Sequence, residues 1–506
     1  MVRQKYRYYS TYANYLMNRA LKKLAGETAV YGLSTILARF INFLLVPFYT
    51  RVMVTSGYGE VSEIMAYIAI LQVILVMGLE TGCFRFANKV ENPQKIFSNA
   101  LFTVAIVSVV TLIVFIVFGN RFASILGYYD YGLYFSLIGG ILAIDTFTAI
   151  VFAKLRFEHR ALKFAVIKTI KILSETSFNF ILFLFAPSYL KSHPDSFLHY
   201  FIRSTPDFSY VILAIFVSCI VLLILLLPEI FRIKLRFSSK LFRQMMAYSL
   251  PLMIAGLPGI MNDFIDRPMF RFFTPEGMDW KSQLGVYAAW VRLAVLMTLF
   301  VQMFRFASEP FFFNREKESG SKELYAQVME HFTAFAMFIF LGMLLYIDVI
   351  SLILGKDFRG GHSILPIMLM ANVLLGISFN VSMWYKLSGK TNVAIWITLS
   401  GMTVTLLINM IFMPVFSYHA AAWGHLVSYL VMLSISLYLG NKYYPIPYKW
   451  LRITSFIAVG LLIYIISSFL PDMRIITKLT VHTLLLLIYI YYYLKLEKIK
   501  LWKLKL

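Results

Sequence analysis

Between Gly256 and Phe273 the chain reads GLPGIMNDFIDRPMFRFF, an apolar stretch that carries two carboxylates, Asp263 and Asp266, and two guanidinium groups, Arg267 and Arg271. A guanidinium keeps its charge when buried and grips phosphate oxygens through a planar fork. A carboxylate held inside apolar surroundings is suited to ion coupling or to gating. Comparable charges stand on other apolar stretches. Arg39 shares a helical face with Tyr31, Thr35 and Asn42, and Lys168, Lys171, Glu175 and Asn179 align along another. Arg292, Asp145 and Glu63 stand on three more. The candidates for holding an anionic head are therefore Arg39, Arg292, Lys171, Lys168, Arg267 and Asn42. The candidates for ion coupling or gating are Asp145, Glu63, Glu175, Asp263 and Asp266, with Pro258 and Gly259 as a bend.

The elements that position these groups follow from composition. Of 506 residues 60% are hydrophobic and only 14% charged, and the mean hydropathy is +0.74, far from the balance of a soluble domain. Apolar runs of about 20 residues, long enough to cross a hydrocarbon core of about 30 Å as helices, recur throughout. The expected spans are residues 27–51, 57–84, 95–119, 127–153, 161–186, 207–230, 243–273, 283–310, 325–351, 360–386, 391–414, 416–440, 452–470 and 475–494. The fold class is an all-α polytopic membrane protein of about 14 helices. An even number puts both termini on one side, and loops on that side hold most of the 47 Lys and Arg, so both termini are expected to be cytoplasmic.

The net charge of +22 is explained by these loops, RIKLRF (Arg232 to Phe237) and the tail from Lys495 among them, which sit where anionic membrane lipids attract cations. Nucleic acid is not an expected partner. Cys83 and Cys219 both fall in expected helices, with no spacing that suggests a metal or a disulfide framework. Residues 1–26 lack a continuous apolar core and read as an interfacial cytoplasmic segment rather than a signal peptide. No nucleophile, metal or nucleotide motif stands out, no cofactor is expected, and the chain does not read as an enzyme. His419 and His425 lie roughly 120° apart around one helix and read as packing or interfacial residues.

A weak internal repeat divides the chain. YGLSTILARF from Tyr31 leads to FRFA at Phe84–Ala87, and YSLPLMIAGLP from Tyr248 leads to FRFA at Phe304–Ala307; a turn-like YG (Tyr58, Gly59) or LG (Leu284, Gly285) opens the second helix of each half. Residues 27–230 and 243–440 then form two six-helix lobes around a central cavity, residues 452–494 are two appended, lipid-facing helices, and 495–506 is a basic cytoplasmic tail.

A charge at the bilayer centre costs about 2.5 to 3.5 kcal/mol, so four on one helix would cost roughly 10 to 14 against lipid. At 100° per residue, Asp263, Asp266, Arg267 and Arg271 fall within a sector of about 140°, and Asp263 stands four residues before Arg267, the favourable order for an ion pair. One wet face with an Asp263–Arg267 pair is the expectation; a plain ion-pair ladder with Arg271 snorkelling is the alternative. Pro251, Pro258 and Pro268 with Gly256 and Gly259 should kink this helix. For the deep cations, the alternative to phosphate contact is neutralisation by Asp145, Glu63 or Glu175.

YGLSTILARFINFLLVPFYTRVM, YGEVSEIMAYIAIL and GLETGCFRFA, with the IDR of Ile265–Arg267 and the GKT of Gly389–Thr391, resemble the oligosaccharide-lipid flippases of polysaccharide and O-antigen biosynthesis (Wzx-type). That family lies in the superfamily of the lipid II flippases and the multidrug and toxin extruders. The resemblance implies twelve core helices in two lobes plus two more. It also implies a cationic cavity for the pyrophosphate-sugar head of an undecaprenyl-linked oligosaccharide, alternating access, and a bacterial inner-membrane location with other polysaccharide-assembly proteins as conceivable partners. Arg39 and Arg292 are similar in helix and depth to arginines used by the lipid II flippases. A multidrug/cation antiporter of the same fold is the main rival, and it would need an acidic pocket. A membrane-embedded glycan polymerase would need a large outward loop, whereas the longest here is Ser188–Asp207.

Overall fold

The computed structural model describes residues 32, 36–203, 205–315, 318, 320–471 and 473–497. The expected interfacial segment 1–26, the positions Tyr31 and Thr35, and the tail beyond residue 497 lie outside the described residues. Residues 36–44 are helical. They are followed by α1 (Val46–Val52), α2 (Thr55–Val76), α3 (Leu79–Ala87), α4 (Gln94–Ile125), α5 (Gly132–Phe157), α6 (Ala161–Ser192), α7 (Phe208–Ile230), α8 (Ser239–Phe264) and α9 (Asp266–Phe273). Then come α10 (Trp280–Asn314), α11 (Ser321–Leu345), α12 (Ile347–Ile350), α13 (Leu365–Val381), α14 (Met383–Leu387), α15 (Val393–Phe416), α16 (Tyr418–Tyr443), α17 (Trp450–Ser468) and α18 (Ile475–Leu496). No strand occurs among the described residues. Among the described residues thirteen helices are long and apolar enough to cross a membrane, and they match every expected span except 27–51, which is only partly described.

Local chemistry sets several helix ends. Asp279 caps α10, its carboxylate accepting from the Lys281 and Ser282 amides. The second expected span is interrupted between α2 and α3 at Met77 and Gly78, both with positive φ. A side chain at Gly78 would collide with the Ser249 carbonyl, so a glycine is needed there for two reasons. Within the expected span 243–273 helix continues through Pro258 and Gly259 and is interrupted at Ile265, shortly before Pro268. Pro268 has no N–H for the Phe264 carbonyl and its ring crowds that carbonyl, which ends the first helix at Phe264, four residues before the proline.

Packing divides the chain into two compact units. One holds the described part of Met1–Asn42 with Leu71–Thr205 and Ser209–Met253; the other holds Phe43–Ile70, Pro206–Phe208 and Ile254–Leu506. The lobes expected from helix order, 27–230 and 243–440, part from this division at residues 43–70, 206–208 and 243–253. In the first unit a core of Phe97, Leu101, Ile150, Phe152, Leu222 and Leu226 joins α4, α5 and α7. In the second, α17 and α18 leave most of their apolar surface exposed and are pinned to α11. Tyr489 donates to the Ala334 carbonyl (3.0 Å), His482 meets the Leu345 carbonyl, and Lys449 and Arg452 pair with buried Glu330.

Candidate functional site

The four charges of the opening stretch do not share a wet face, and the Asp263–Arg267 carboxylate pair is not formed. Asp266 is 0% exposed. Its carboxylate accepts from the Tyr287 hydroxyl, from His425 Nε2 (3.2 Å) and from the Arg267 amide (3.0 Å). For His425 to donate to this carboxylate, its Nε2 must carry the ring proton. Asp263 is exposed, and its carboxylate accepts from the Tyr429 hydroxyl (3.2 Å). Arg267 instead donates to the Asp263 main-chain carbonyl (3.3 Å) and lies over the Phe264 ring (4.6 Å). Asn262, also buried, accepts from Thr405 (2.7 Å) and Ser428 (3.0 Å).

These contacts join the end of α8 and the start of α9 to one stretch of α16: Ser428 answers Asn262, Tyr429 answers Asp263, and His425, about a turn away, answers Asp266. Two of these polar groups, Asn262 and Asp266, are buried, and groups that would be costly in lipid are thereby satisfied inside protein. His425 is thus a partner of the buried carboxylate, not a packing residue. His419, read from sequence in the same way as His425, meets Ser363 at an exposed position (2.8 Å).

Arg271 turns to another helix. Its guanidinium grips Glu63 of α2 through two hydrogen bonds of 2.7 Å, and Tyr67 also donates to Glu63 (3.2 Å). Glu63 is 0% and Arg271 15% exposed, and Trp280 lies over the guanidinium (4.2 Å). The same face of α2 makes an ion pair from Glu60 to Lys281 and a bond from Thr55 to Ser282 (3.1 Å). Gly59 and Gly285 meet there: a Cβ on either would run into the backbone of the other's helix, the close approach that small residues permit between spans. Both glycines lie inside helices, so the turns expected at YG and LG are corrected to a helix crossing. Residues 50–58 extend the contact. Arg51 donates to the Leu352 (2.8 Å) and Ile353 (3.0 Å) carbonyls, the Gly355 amide donates to Thr50 (3.1 Å), and Tyr58 meets Phe358 edge-on.

In the first unit Lys171 is neutralised by Asp145 of α5 at 3.2 Å, with the Cys219 thiol also on that carboxylate (3.7 Å). Of the two readings of Lys171, phosphate contact and neutralisation by a carboxylate, this structure holds the second. Lys168 lies over the rings of Phe152 (5.1 Å) and Phe164 (5.3 Å). Glu175 and buried Asn179 follow on the same face, Asn179 donating to the Glu175 carbonyl (2.8 Å). Arg39 is exposed and Asn42 half-buried on the helix of residues 36–44.

Arg292 differs from the other cations of the second unit. It stands twelve residues into α10, about 18 Å along the axis at 1.5 Å per residue, and it is exposed. Its neighbours on the chain, Leu293 and Ala294, are fully buried. Among the described residues none hydrogen-bonds or ion-pairs with it. The arrangement therefore holds one set of charges already satisfied within the protein and, at Arg292, a guanidinium presented outward from within a span.

The structure is similar to a lipid II flippase, MurJ, in an inward closed conformation (TM-score 0.70, 11% identity, 92% of this chain and 98% of that one). It is also similar to a multidrug resistance MATE family transporter of the MOP superfamily in an inward-facing conformation (TM-score 0.56, 13% identity, 86% and 94%). A third similar structure is a MOP superfamily transporter from Pyrococcus furiosus described by a reversed polarity of its binding pocket (TM-score 0.55, 12% identity, 86% and 96%). Among curated proteins, none matches the sequence. The profile of the polysaccharide biosynthesis protein family matches residues 24–316, and the chain belongs to that family.

Proposed function

We propose that this protein is a flippase that moves a polyprenyl-pyrophosphate-linked oligosaccharide from the inner to the outer leaflet of a bacterial inner membrane, with both termini in the cytoplasm. The observation that carries this reading is Arg292: a guanidinium exposed within a span, with no described partner, in a member of a polysaccharide biosynthesis family. Such a group is suited to a bidentate grip on a pyrophosphate. Arg39, from the other unit, is proposed as a further phosphate ligand, and Asn42, Lys168 and Arg267 as contacts of the head. Lys171 would join them only by exchanging Asp145.

Transport proceeds by alternating access, with residues 27–230 and 243–440 as the moving lobes. The Glu63–Arg271 and Glu60–Lys281 pairs then act as a latch between α2 and the α9–α10 region, and must break in each cycle. Pro258 is the hinge candidate, since its missing N–H frees the Ile254 carbonyl. Gly259 adds freedom there, its Cβ position meeting only Thr398, at 4.0 Å. Asp263 and Asp266, with Tyr429 and His425, are assigned to ion coupling. The polyprenyl tail stays in hydrocarbon, and an apolar crevice of about 250 Å³ lined by Phe335, Phe338, Ile490 and Leu494, between α11 and α18, is shaped for part of it. Two negative charges moved fully outward gain about 4.6 kcal/mol per 100 mV.

One observation favours a cation antiporter instead: Asp263 is also exposed within its span. The two readings separate in proteoliposomes holding a fluorescent polyprenyl-pyrophosphate glycan and an external quencher. Protein-dependent protection or exposure of the glycan supports the flippase. Failure across several glycans, with uptake of a cationic dye against a proton or sodium gradient, would establish the antiporter.

A further inference from the structure

We propose that a basic pocket at the start of α4 binds the phosphate of an anionic phospholipid headgroup. The cavity, about 350 Å³, is lined by Lys95, Arg232, Lys234 and Arg236 with the polar Asn92 and Gln94. It lies within the first unit and involves none of the charges assigned to transport. Three of its cations, Lys95, Lys234 and Arg236, have no ion pair among the described residues. Arg232 shares Glu229 at 3.2 Å, but that carboxylate is already held by Arg160 (2.6 Å) and Lys163, so the lining remains strongly positive. Glu91 stands nearby in the chain without lining the cavity.

The pocket is built rather than a chance meeting of loose side chains. Buried Ser98 donates to the Lys234 carbonyl and accepts from the Arg236 amide (2.6 Å), and buried Asn99 accepts from the Ser238 amide (2.8 Å). These bonds clamp RIKLRF onto the first turns of α4. Every second residue of that segment, Arg232, Lys234 and Arg236, contributes to the lining, the alternation of an extended chain. Ile233 between them is buried in the core of the unit.

Phosphate oxygens are the chemistry that such forks and ammonium groups recognise, and the flanking residues point to a lipid as its source. Phe231 is 81%, Leu235 59% and Phe237 49% exposed, beside the ends of three candidate membrane spans, α4, α7 and α8. Cations that alternate with exposed apolar side chains at a span end match a headgroup with its acyl chains beside it.

The test uses the full chain purified in neutral detergent and titrated with phosphatidylglycerol or phosphatidylcholine, bound lipid being counted by native mass spectrometry. Wild type should hold phosphatidylglycerol at least about tenfold more tightly than phosphatidylcholine. At about fivefold per cation near a lipid surface, Lys95→Gln with Lys234→Gln and Arg236→Gln should weaken it by more than about fiftyfold. Lys234→Arg should retain it, which controls for folding, as should Lys449→Gln, far along the chain. Inorganic phosphate at millimolar concentration should not displace the lipid; displacement to completion would assign the pocket to a soluble anion and overturn the lipid source. Equal phosphatidylglycerol binding by wild type and a folded triple variant would overturn the site itself.

Discussion

Removing Arg271 should expose how much the second unit depends on one ion pair. Glu63 is wholly buried, and it receives two 2.7 Å hydrogen bonds from the guanidinium and a longer one from Tyr67. A hydrogen bond to a charged group contributes about 1.5 to 3 kcal/mol, and stripping one partner from a buried pair commonly costs about 3 to 5, because the other charge is stranded. Arg271→Ala is therefore expected to destabilise by about 3 to 5 kcal/mol, Glu63→Ala by a similar amount, and the double variant by at least 2 kcal/mol less than their sum. Replacement of both by apolar residues of similar volume, Glu63→Leu with Arg271→Met, should restore most of the stability. The measurement is reversible denaturation of the purified protein in detergent, run as a double-mutant cycle, with glycan flipping scored in parallel. The same cycle on Asp263 and Arg267 should give little coupling, since Arg267 bonds a main-chain carbonyl that Asp263→Ala leaves in place. Additive losses at Glu63 and Arg271, or strong coupling at Asp263 and Arg267, would refute the reading of this region.

Arg292→Ala should abolish glycan flipping at unchanged abundance and thermal stability, since no described partner is lost, and Arg292→Lys should restore only part of it; normal flipping by Arg292→Ala would show that the guanidinium does not hold the head. His425→Ala removes a donor from the buried Asp266 carboxylate and should cost about 1 to 3 kcal/mol, with His425→Gln recovering part; an unchanged denaturation midpoint would mean that Asp266 is satisfied without it. Gly285→Ala, forced against the Thr55 carbonyl, should destabilise by about 1 to 3 kcal/mol, whereas Gly256→Ala, with nothing within 4 Å, should not; equal midpoints would remove the helix crossing. Pro258→Ala with Gly259→Ala should slow flipping while the protein stays folded, and wild-type rates would exclude the bend as a hinge.

The spans were legible because length and hydropathy are local properties: twelve of the thirteen candidate helices begin and end within about six residues of the expected runs, and the exception, Ser239–Phe264, stops nine residues before the expected 273. The charges were legible as exceptional but not in their pairing. Arg271 and Glu63 are 208 residues apart and His425 and Asp266 are 159 apart, and such separations hide which helix faces which. Sequence alone offered Asp263 and Arg267 as partners because they are neighbours on one helix, yet Tyr429 reaches the carboxylate from α16. The break at Ile265 was available in principle. A proline disturbs the carbonyl four residues before it, and Pro268 therefore points to Phe264; Pro258 met the same rule without interrupting the helix, so the rule marks places where a break is permitted.

Charges in these spans separate by what already satisfies them, and that separation bears on transport. A carboxylate such as Asp266, closed in by three donors, or a guanidinium such as Arg271, forked onto Glu63, can take a substrate oxygen only by giving up an equal bond. The net gain from such an exchange is small, but the bond can be traded as the protein changes state, which suits a latch or a coupling group. Arg292 gives up no described bond when an anion arrives, so the full strength of a charge-assisted fork is available for binding. A flippase needs both kinds of site. The head must be held without being trapped, and the bonds that close one route must be weak enough, net of exchange, to open when the head has moved.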